Sequence, residues 1–255
     1  DGDKEVLVGD ISFNNLVGLY NGGSVNYAFM MQEDTLFPSY DESVNITVFP
    51  AAFHLDVDHD GRRDLLVTPN ASSLSHDHRS VHLYRNVGTD ASPVFDFMQD
   101  NLFQERMLEL GLGAIPVAFD ENGDGLMDLV VSNHGYYQSG GNYVGKMALL
   151  RNVGSASSPA FEMVTDDWMG LSTSGIGLSM HPAFTDLDGD GDKDMYIGDL
   201  QGRLHYYRNN ATVPQASFQL QQANITDAGG TQIDVGQFAA PFFHDLDGDE
   251  LQDLL

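Results

Sequence analysis

Residues 186–199 read DLDGDGDKDMYIGD. Six of these fourteen are aspartates, five of them at alternate positions, and they lead straight into the apolar run Met195-Tyr196-Ile197. Carboxylates crowded this closely repel one another, so the arrangement costs stability unless a cation offsets it. The stretch recurs. HLDVDHDGRRDLLV carries Asp56, Asp58, Asp60, Gly61 and Asp64 in the same frame, and FDENGDGLMDLVV carries Asp120, Asn122, Asp124, Gly125 and Asp128. HDLDGDELQDLL carries Asp245, Asp247, Asp249 and Asp253, with Glu250 in place of the glycine. Successive first aspartates lie 64, 66 and 59 residues apart. A further copy, cut through, opens the chain: DGDKEVLVGD aligns with DGDKDMYIGD, so Asp1 matches Asp190, Gly2 matches Gly191 and Glu5 matches Asp194. Even spacing of this kind marks a repeat architecture.

The rest of the unit repeats with the loop. An apolar run follows each one: VLV at 6–8, LLV at 65–67, LVV at 129–131 and MYI at 195–197. Next come LVGLYN (16–21), VHLYRN (81–86), MALLRN (147–152) and LHYYRN (204–209). Phe29, Phe95, Phe161 and Phe218 stand eight or nine residues beyond those asparagines, and Pro50, Pro116, Pro182 and Pro241 precede the loops. Short apolar runs bounded by Gly, Asn and Asp, with little helical periodicity, predict strands. Each unit is therefore strand, acidic loop, strand, turn, strand, turn, strand. Four-stranded units of this length stack as β-propeller blades, whereas most solenoid repeats are shorter. The expected fold is all-β, one propeller segment over 1–255. It divides into a partial blade at 1–44, blades at 45–110, 111–177 and 178–234, and the start of another at 235–255. Because 249–255 aligns with 1–7, joining the two ends would supply one segment twice. About four blades of a larger propeller are expected.

Hard cations take oxygen ligands, six to eight of them for calcium. In a nine-residue loop, carboxylates at positions 1, 3, 5 and 9 can converge on one point, with a main-chain carbonyl from position 7. Glycine at position 6 permits the reversal. The expected ligands are Asp56, Asp58, Asp60, Arg62 and Asp64 in the first loop, and Asp120, Asn122, Asp124, Leu126 and Asp128 in the second. Asp186, Asp188, Asp190, Asp192 and Asp194 form the third set, and Asp245, Asp247, Asp249, Leu251 and Asp253 the fourth. The variety at position 7 suits a backbone ligand. The loop starts like an EF-hand but has no glutamate at position 12 and no flanking helix, so four structural Ca²⁺ ions on β-loops are expected. Extracellular modules bind calcium at about 10⁻⁴–10⁻³ M. At tenfold above Kd each ion adds about 1.4 kcal/mol. Cytosolic calcium would not fill such sites, which places the chain outside the cell.

These loops, with the strand endings LVGD (7–10) and IGD (197–199), make the whole chain resemble the FG-GAP/VCBS repeat family, known from integrin α-chain propellers and secreted bacterial proteins. The integrin-type triplet after the strand is replaced by Val67-Thr68-Pro69 and Val131-Ser132-Asn133, which is closer to the bacterial type. The resemblance implies a propeller of about seven blades, structural calcium, and a role in adhesion, ligand binding or accompaniment of a secreted enzyme.

Net charge is −27 and the pI near 4.2, which disfavours nucleic acid and anionic membrane as partners. The chain has no cysteine, hence no disulfide or thiolate chemistry, and no apolar run long enough to span a bilayer. No G-x-S-x-G, H-E-x-x-H or phosphate-binding glycine loop occurs. The expectation is a secreted or surface-exposed binding or adhesion module for a protein or glycan ligand, within a larger parent chain. The alternatives are the propeller of a carbohydrate-active enzyme, lyase or hydrolase, and a structural spacer. Insertions at 70–80 and 132–146 are candidate binding loops, the second carrying Tyr136, Tyr137 and Tyr143 as platforms for sugar rings or a protein partner. His76 and His78 could share a metal but have no third ligand. Trp168 is expected to pack between blades, and His54 and His244 to pack beside the loops. Sequons stand at Asn45, Asn70, Asn210 and Asn224. Asp190→Ala should destabilise its own blade more than Asp249→Ala, whose loop already lacks the position-6 glycine; thermal melts of the two variants in calcium check the order.

Overall fold

A computed structural model of the chain describes residues 4–71, 75–138, 141–211, 214–249 and 251–255. Asp1 and Gly2 of the N-terminal loop copy, Glu250, parts of both insertions (72–74, 139–140) and Thr212 of the Asn210 sequon lie outside the described residues.

The expected strands form in the expected order. β1 (Val6–Gly9), β2 (Leu16–Asn21) and β3 (Met30–Phe37) make a three-stranded sheet. β4 (Pro50–Leu55), β5 (Asp64–Pro69), β6 (His82–Asn86) and β7 (Phe95–Gln99) make a four-stranded one. In the next repeat β8 (Ile115–Phe119) and β9 (Asp128–Ser132) come first. A short hairpin, β10 (Tyr136–Gln138) and β11 (Asn142–Val144), then occupies the second insertion, before β12 (Ala148–Asn152) and β13 (Phe161–Thr165) complete the sheet. β14 (His181–Thr185), β15 (Asp194–Gly198), β16 (Leu204–Asn209) and β17 (Phe218–Gln222) form the last full sheet, followed by the pair β18 (Phe243–His244) and β19 (Asp253–Leu254). Paired neighbours in these sheets run antiparallel. These are β-propeller blades. Among the described residues no helix is long and apolar enough to cross a membrane.

The chain divides into two compact units, Asp1–Glu109 with Tyr137–Asn142, and Leu110–Tyr136 with Tyr143–Leu255. In the first, Leu16, Phe37, Leu65, Val67, Tyr84 and Phe95 form the core. In the second, Phe119, Val130, Met147, Trp168, Met195 and Ile197 do so. The last full sheet shows the contrast between its inner and outer strands. All five residues of β15 are buried, whereas four of the five in β17 are exposed, so the strand after the loop is the one covered on both faces. Trp168 meets the Phe218 ring edge-on at 5.6 Å, and Phe119 stacks on Phe184 at 4.2 Å, joining neighbouring sheets of the second unit. In the first unit a groove of about 800 Å³ is lined by Leu7, Tyr20, Tyr40, Phe53 and His54.

The glycine of the LVGD and IGD endings is explained by close approach. A β-carbon on Gly198 would lie 2.0 Å from the Ala239 carbonyl oxygen, and one on Gly9 would lie 1.8 Å from that of Pro50. Thr68 and Ser132 hold this place in the other two blades. Gly198→Ala is expected to cost about 1–3 kcal/mol by overpacking against backbone, read as a lowered midpoint in chemical denaturation.

Candidate metal-binding loops

Each acidic loop is the connection between the first two strands of its sheet, and its shape is fixed by its own aspartates. The position-1 carboxylate accepts main-chain N–H groups from further along the turn. Asp120 takes Gly123 (2.8 Å) and Gly125 (2.9 Å), Asp186 takes Gly189 (2.8 Å) and Gly191 (3.0 Å), and Asp245 takes Gly248 (2.7 Å). Position 3 accepts from the N–H of position 5, and position 5 from that of position 7, as in Asp190 to Asp188 (3.3 Å) and Asp192 to Asp190 (3.1 Å). Such bonds turn the backbone inward two residues at a time. Gly61, Gly125 and Gly191 at position 6 have φ of 86°, 85° and 96°, as the reversal requires. Position 4 is left-handed as well: Gly123, Gly189 and Gly248, with His59 at φ 61° in the first loop. The sequence reading overlooked that requirement, although glycine at three of four positions signalled it.

The position-9 aspartate opens the second strand and, in the three four-stranded sheets, is buried. Asp64 is 2% exposed, and Asp128 and Asp194 are 0% exposed. One oxygen accepts the main-chain N–H of the asparagine ending the third strand: Asn86 to Asp64 (2.9 Å), Asn152 to Asp128 (2.8 Å) and Asn209 to Asp194 (2.8 Å). The other takes the N–H of loop position 2 in Asp64 (3.1 Å), Asp128 (3.0 Å) and Asp253 (2.9 Å). In Asp194 it takes the Tyr206 hydroxyl instead, at 2.7 Å. Burial pushes the Asp194 carboxyl above its ordinary range, and the Asn209 N–H and Tyr206 hydroxyl pull it back. The asparagine side chains then hold the next turn: Asn86 accepts from the N–H groups of Gly88 (3.0 Å) and Val94 (3.1 Å), and Asn152 from Gly154 (3.0 Å) and Ala160 (3.1 Å).

Carboxylate oxygens converge in three of the four loops. Asp56, Asp58 and Asp64 place three within 4.8 Å of one another, as do Asp186, Asp188 and Asp190, and Asp245, Asp247 and Asp253. Oδ1 of Asp56 is buried and has no hydrogen-bond partner. That donor-poor oxygen, inside a set of carboxylates, fits a bound cation. The second loop differs, because the Asn122 amide donates to Asp124 at 3.0 Å. Arg62 donates from both its main chain and its guanidinium to Asp60, which holds that carboxyl below the usual range.

Arginines of the third strand also reach the loops, a contact that the repeated R-N pair contained but the sequence reading did not draw out. Arg85 meets Asp58 at 2.8 Å, and Arg208 meets Asp188 at 2.7 Å and Asp190 at 3.1 Å. Arg151 pairs with the buried Glu121 at 2.6 Å, and Gln215 donates to the same carboxylate at 3.1 Å.

The remaining candidates divide. His54 bonds the Arg63 carbonyl at 3.0 Å and lies edge-on to Phe95, so it packs beside its loop. His244 pairs with Asp253 across β18 and β19. His76 lies edge-on to Tyr137, 5.1 Å between ring centres, and neither it nor His78 joins a metal-ligand cluster among the described residues. Tyr136 and Tyr137 are each 7% exposed, so the expectation of open stacking platforms is corrected for these two: their faces are taken up in packing. Asn45, Asn70 and Asn210 are exposed, while Asn224 is half-buried.

Asp128→Ala would leave the N–H groups of Glu121 and Asn152 without their acceptor, costing about 1–3 kcal/mol for each. Asp128→Asn, which keeps one oxygen, should cost less; urea unfolding of the two variants measures the difference.

The FG-GAP-like repeat model matches residues 56–131, 120–197 and 186–255. No curated protein matches the chain. Among solved structures it is similar to a lectin from Agrocybe aegerita described as recognising non-reducing terminal N-acetylglucosamine, with 16% identity and a TM-score of 0.35. That similarity covers 99% of this chain and 60% of the lectin chain. The three matched repeats coincide with the acidic loops and the sheets they begin, and the chain belongs to the FG-GAP-like repeat family.

Proposed function

We propose that this chain is a calcium-stabilised extracellular propeller module that binds a protein or glycan ligand as part of a larger secreted or surface protein. The observation that carries the calcium reading is the Asp56 oxygen, buried without a hydrogen-bond donor among converging carboxylates. Asp58, Asp60 and Asp64 would complete the charged ligands in that loop, with the Arg62 carbonyl at position 7. The corresponding sets are Asp186, Asp188, Asp190, Asp194 and the Asp192 carbonyl, then Asp245, Asp247, Asp249, Asp253 and the Leu251 carbonyl. Asp120, Asp124, Asp128, the Leu126 carbonyl and the neutral Asn122 would form a site with one ligand charge fewer, while the fourth loop, without glycine at position 6, would be the weakest. The ion would neutralise charge at the loop and leave the fold to the backbone network already described.

Antiparallel order puts the acidic loop of each blade at one end of its sheet and the connection between second and third strands at the other. Ion binding and ligand binding thus have separate ends. The insertions at 70–80 and 132–146 lie in those opposite connections, where chain length varies without disturbing the loop.

Chelation is expected to lower the melting temperature by many degrees, and calcium, but not magnesium, to restore it, since magnesium retains water and takes fewer carboxylates. An unchanged melt would remove the calcium reading. A glycan array and a reducing-sugar release assay on calcium-loaded protein test the binding role. Capture without product supports a module, and product formation would replace it with an enzyme.

A further inference from the structure

The calcium reading leaves the arginines unexplained, and their placement is specific. Arg85 and Arg208 each stand immediately before the asparagine that ends a third strand, and each extends across to the loop between the first two. Both oxygens of Asp188 are thereby engaged: Oδ1 accepts the Asp190 N–H at 3.3 Å and Oδ2 meets Arg208 at 2.7 Å. Asp190 is engaged in the same way, by the Asp192 N–H at 3.1 Å and by Arg208 at 3.1 Å. In the first loop, Asp58 accepts the Asp60 N–H at 3.2 Å and meets Arg85 at 2.8 Å. Yet Arg208 is not fully satisfied, for its Nε is buried with no hydrogen-bond partner. Charge holds this guanidinium more than a complete set of bonds does.

We infer that Arg85 and Arg208 are built-in counter-cations that compete with the divalent ion for the position-3 and position-5 carboxylates, steadying the loop when the ion is absent and lowering its affinity. The inference rests on the calcium reading. An ion ligated through the oxygens facing Arg208 must take them from the guanidinium, which then turns outward to solvent, where its side chain is already 42% exposed. The loop at 120–128 is arranged otherwise. Its equivalent arginine, Arg151, forms its ion pair with Glu121, and its charge reaches Asp124 only through space, as the last of the influences on that carboxyl. Direct arginine competition therefore acts at the loops beginning at Asp56 and Asp186 and is weaker at the one between them.

Calorimetric titration of the whole chain with CaCl₂ after chelation tests this, with Arg208→Gln, Arg85→Gln, the double variant and Arg208→Lys. Arg79→Gln, whose partner Asp100 is outside the loops, serves as control. Exposed ion pairs being weak, each glutamine variant should tighten calcium binding at its own loop by about two- to fivefold and lower the melting temperature in chelator. Arg208→Lys, which retains a charge without the planar fork, should fall between. Arg79→Gln should change neither. Normal calcium binding with unchanged or weakened affinity in Arg208→Gln and Arg85→Gln overturns the competition alone. No calcium uptake by any variant overturns the competition and the calcium reading together.

Discussion

The structure depends on a buried carboxylate at the head of the second strand in each four-stranded sheet. Asp64, Asp128 and Asp194 bond the main-chain N–H of Asn86, Asn152 and Asn209, and so tie the acidic loop to the third strand. Those asparagines in turn hold the connection to the fourth strand through their side chains. One aspartate and one asparagine, more than twenty residues apart in two of the three blades, thus brace both turns at one end of a sheet. A buried carboxylate is costly unless its lone pairs are met. Here N–H groups meet them, joined at Asp194 by the Tyr206 hydroxyl, which is why this position belongs to the scaffold.

The other loop aspartates carry a different load. At positions 3 and 5 the main-chain bonds use one oxygen and leave the second beside other carboxylates of the loop. Each blade meets that repulsion with the cations at hand: Arg62 and Arg85 in one, Arg208 in another, while Arg151 answers Glu121. With a formal charge of −27, the chain has few basic residues to spend, and three of its eleven sit beside asparagine at the end of a third strand. Their position in the repeat, next to a residue needed for the turn, keeps them within reach of the loop.

Between blades, contact is decided by volume. Phe119 against Phe184, with Phe218 and Trp168 around them, fills the space between sheets in the second unit. Glycine enters for the opposite reason at the end of β15, where backbone comes so near that any side chain would collide.

Much of this was legible in the residues. The spacing of D-x-D-x-D-G-x-x-D located every loop, and the apolar runs, the R-N pairs and the phenylalanines located the strands, because such features are local and recur at fixed offsets. Glycine at position 6 was read correctly from backbone sterics alone. Three things required the folded chain. The burial of Tyr136 and Tyr137 depends on what packs over them, which composition does not record. The bonds from Asp64 to Asn86 and from Arg208 to Asp188 join residues on different strands, and register across a sheet is set by pairing rather than by sequence separation. The close approach behind Gly198 involves the next repeat. Sequence determined which groups repeat; the tertiary structure decided which of them meet, since contact between strands follows from packing that no single segment specifies.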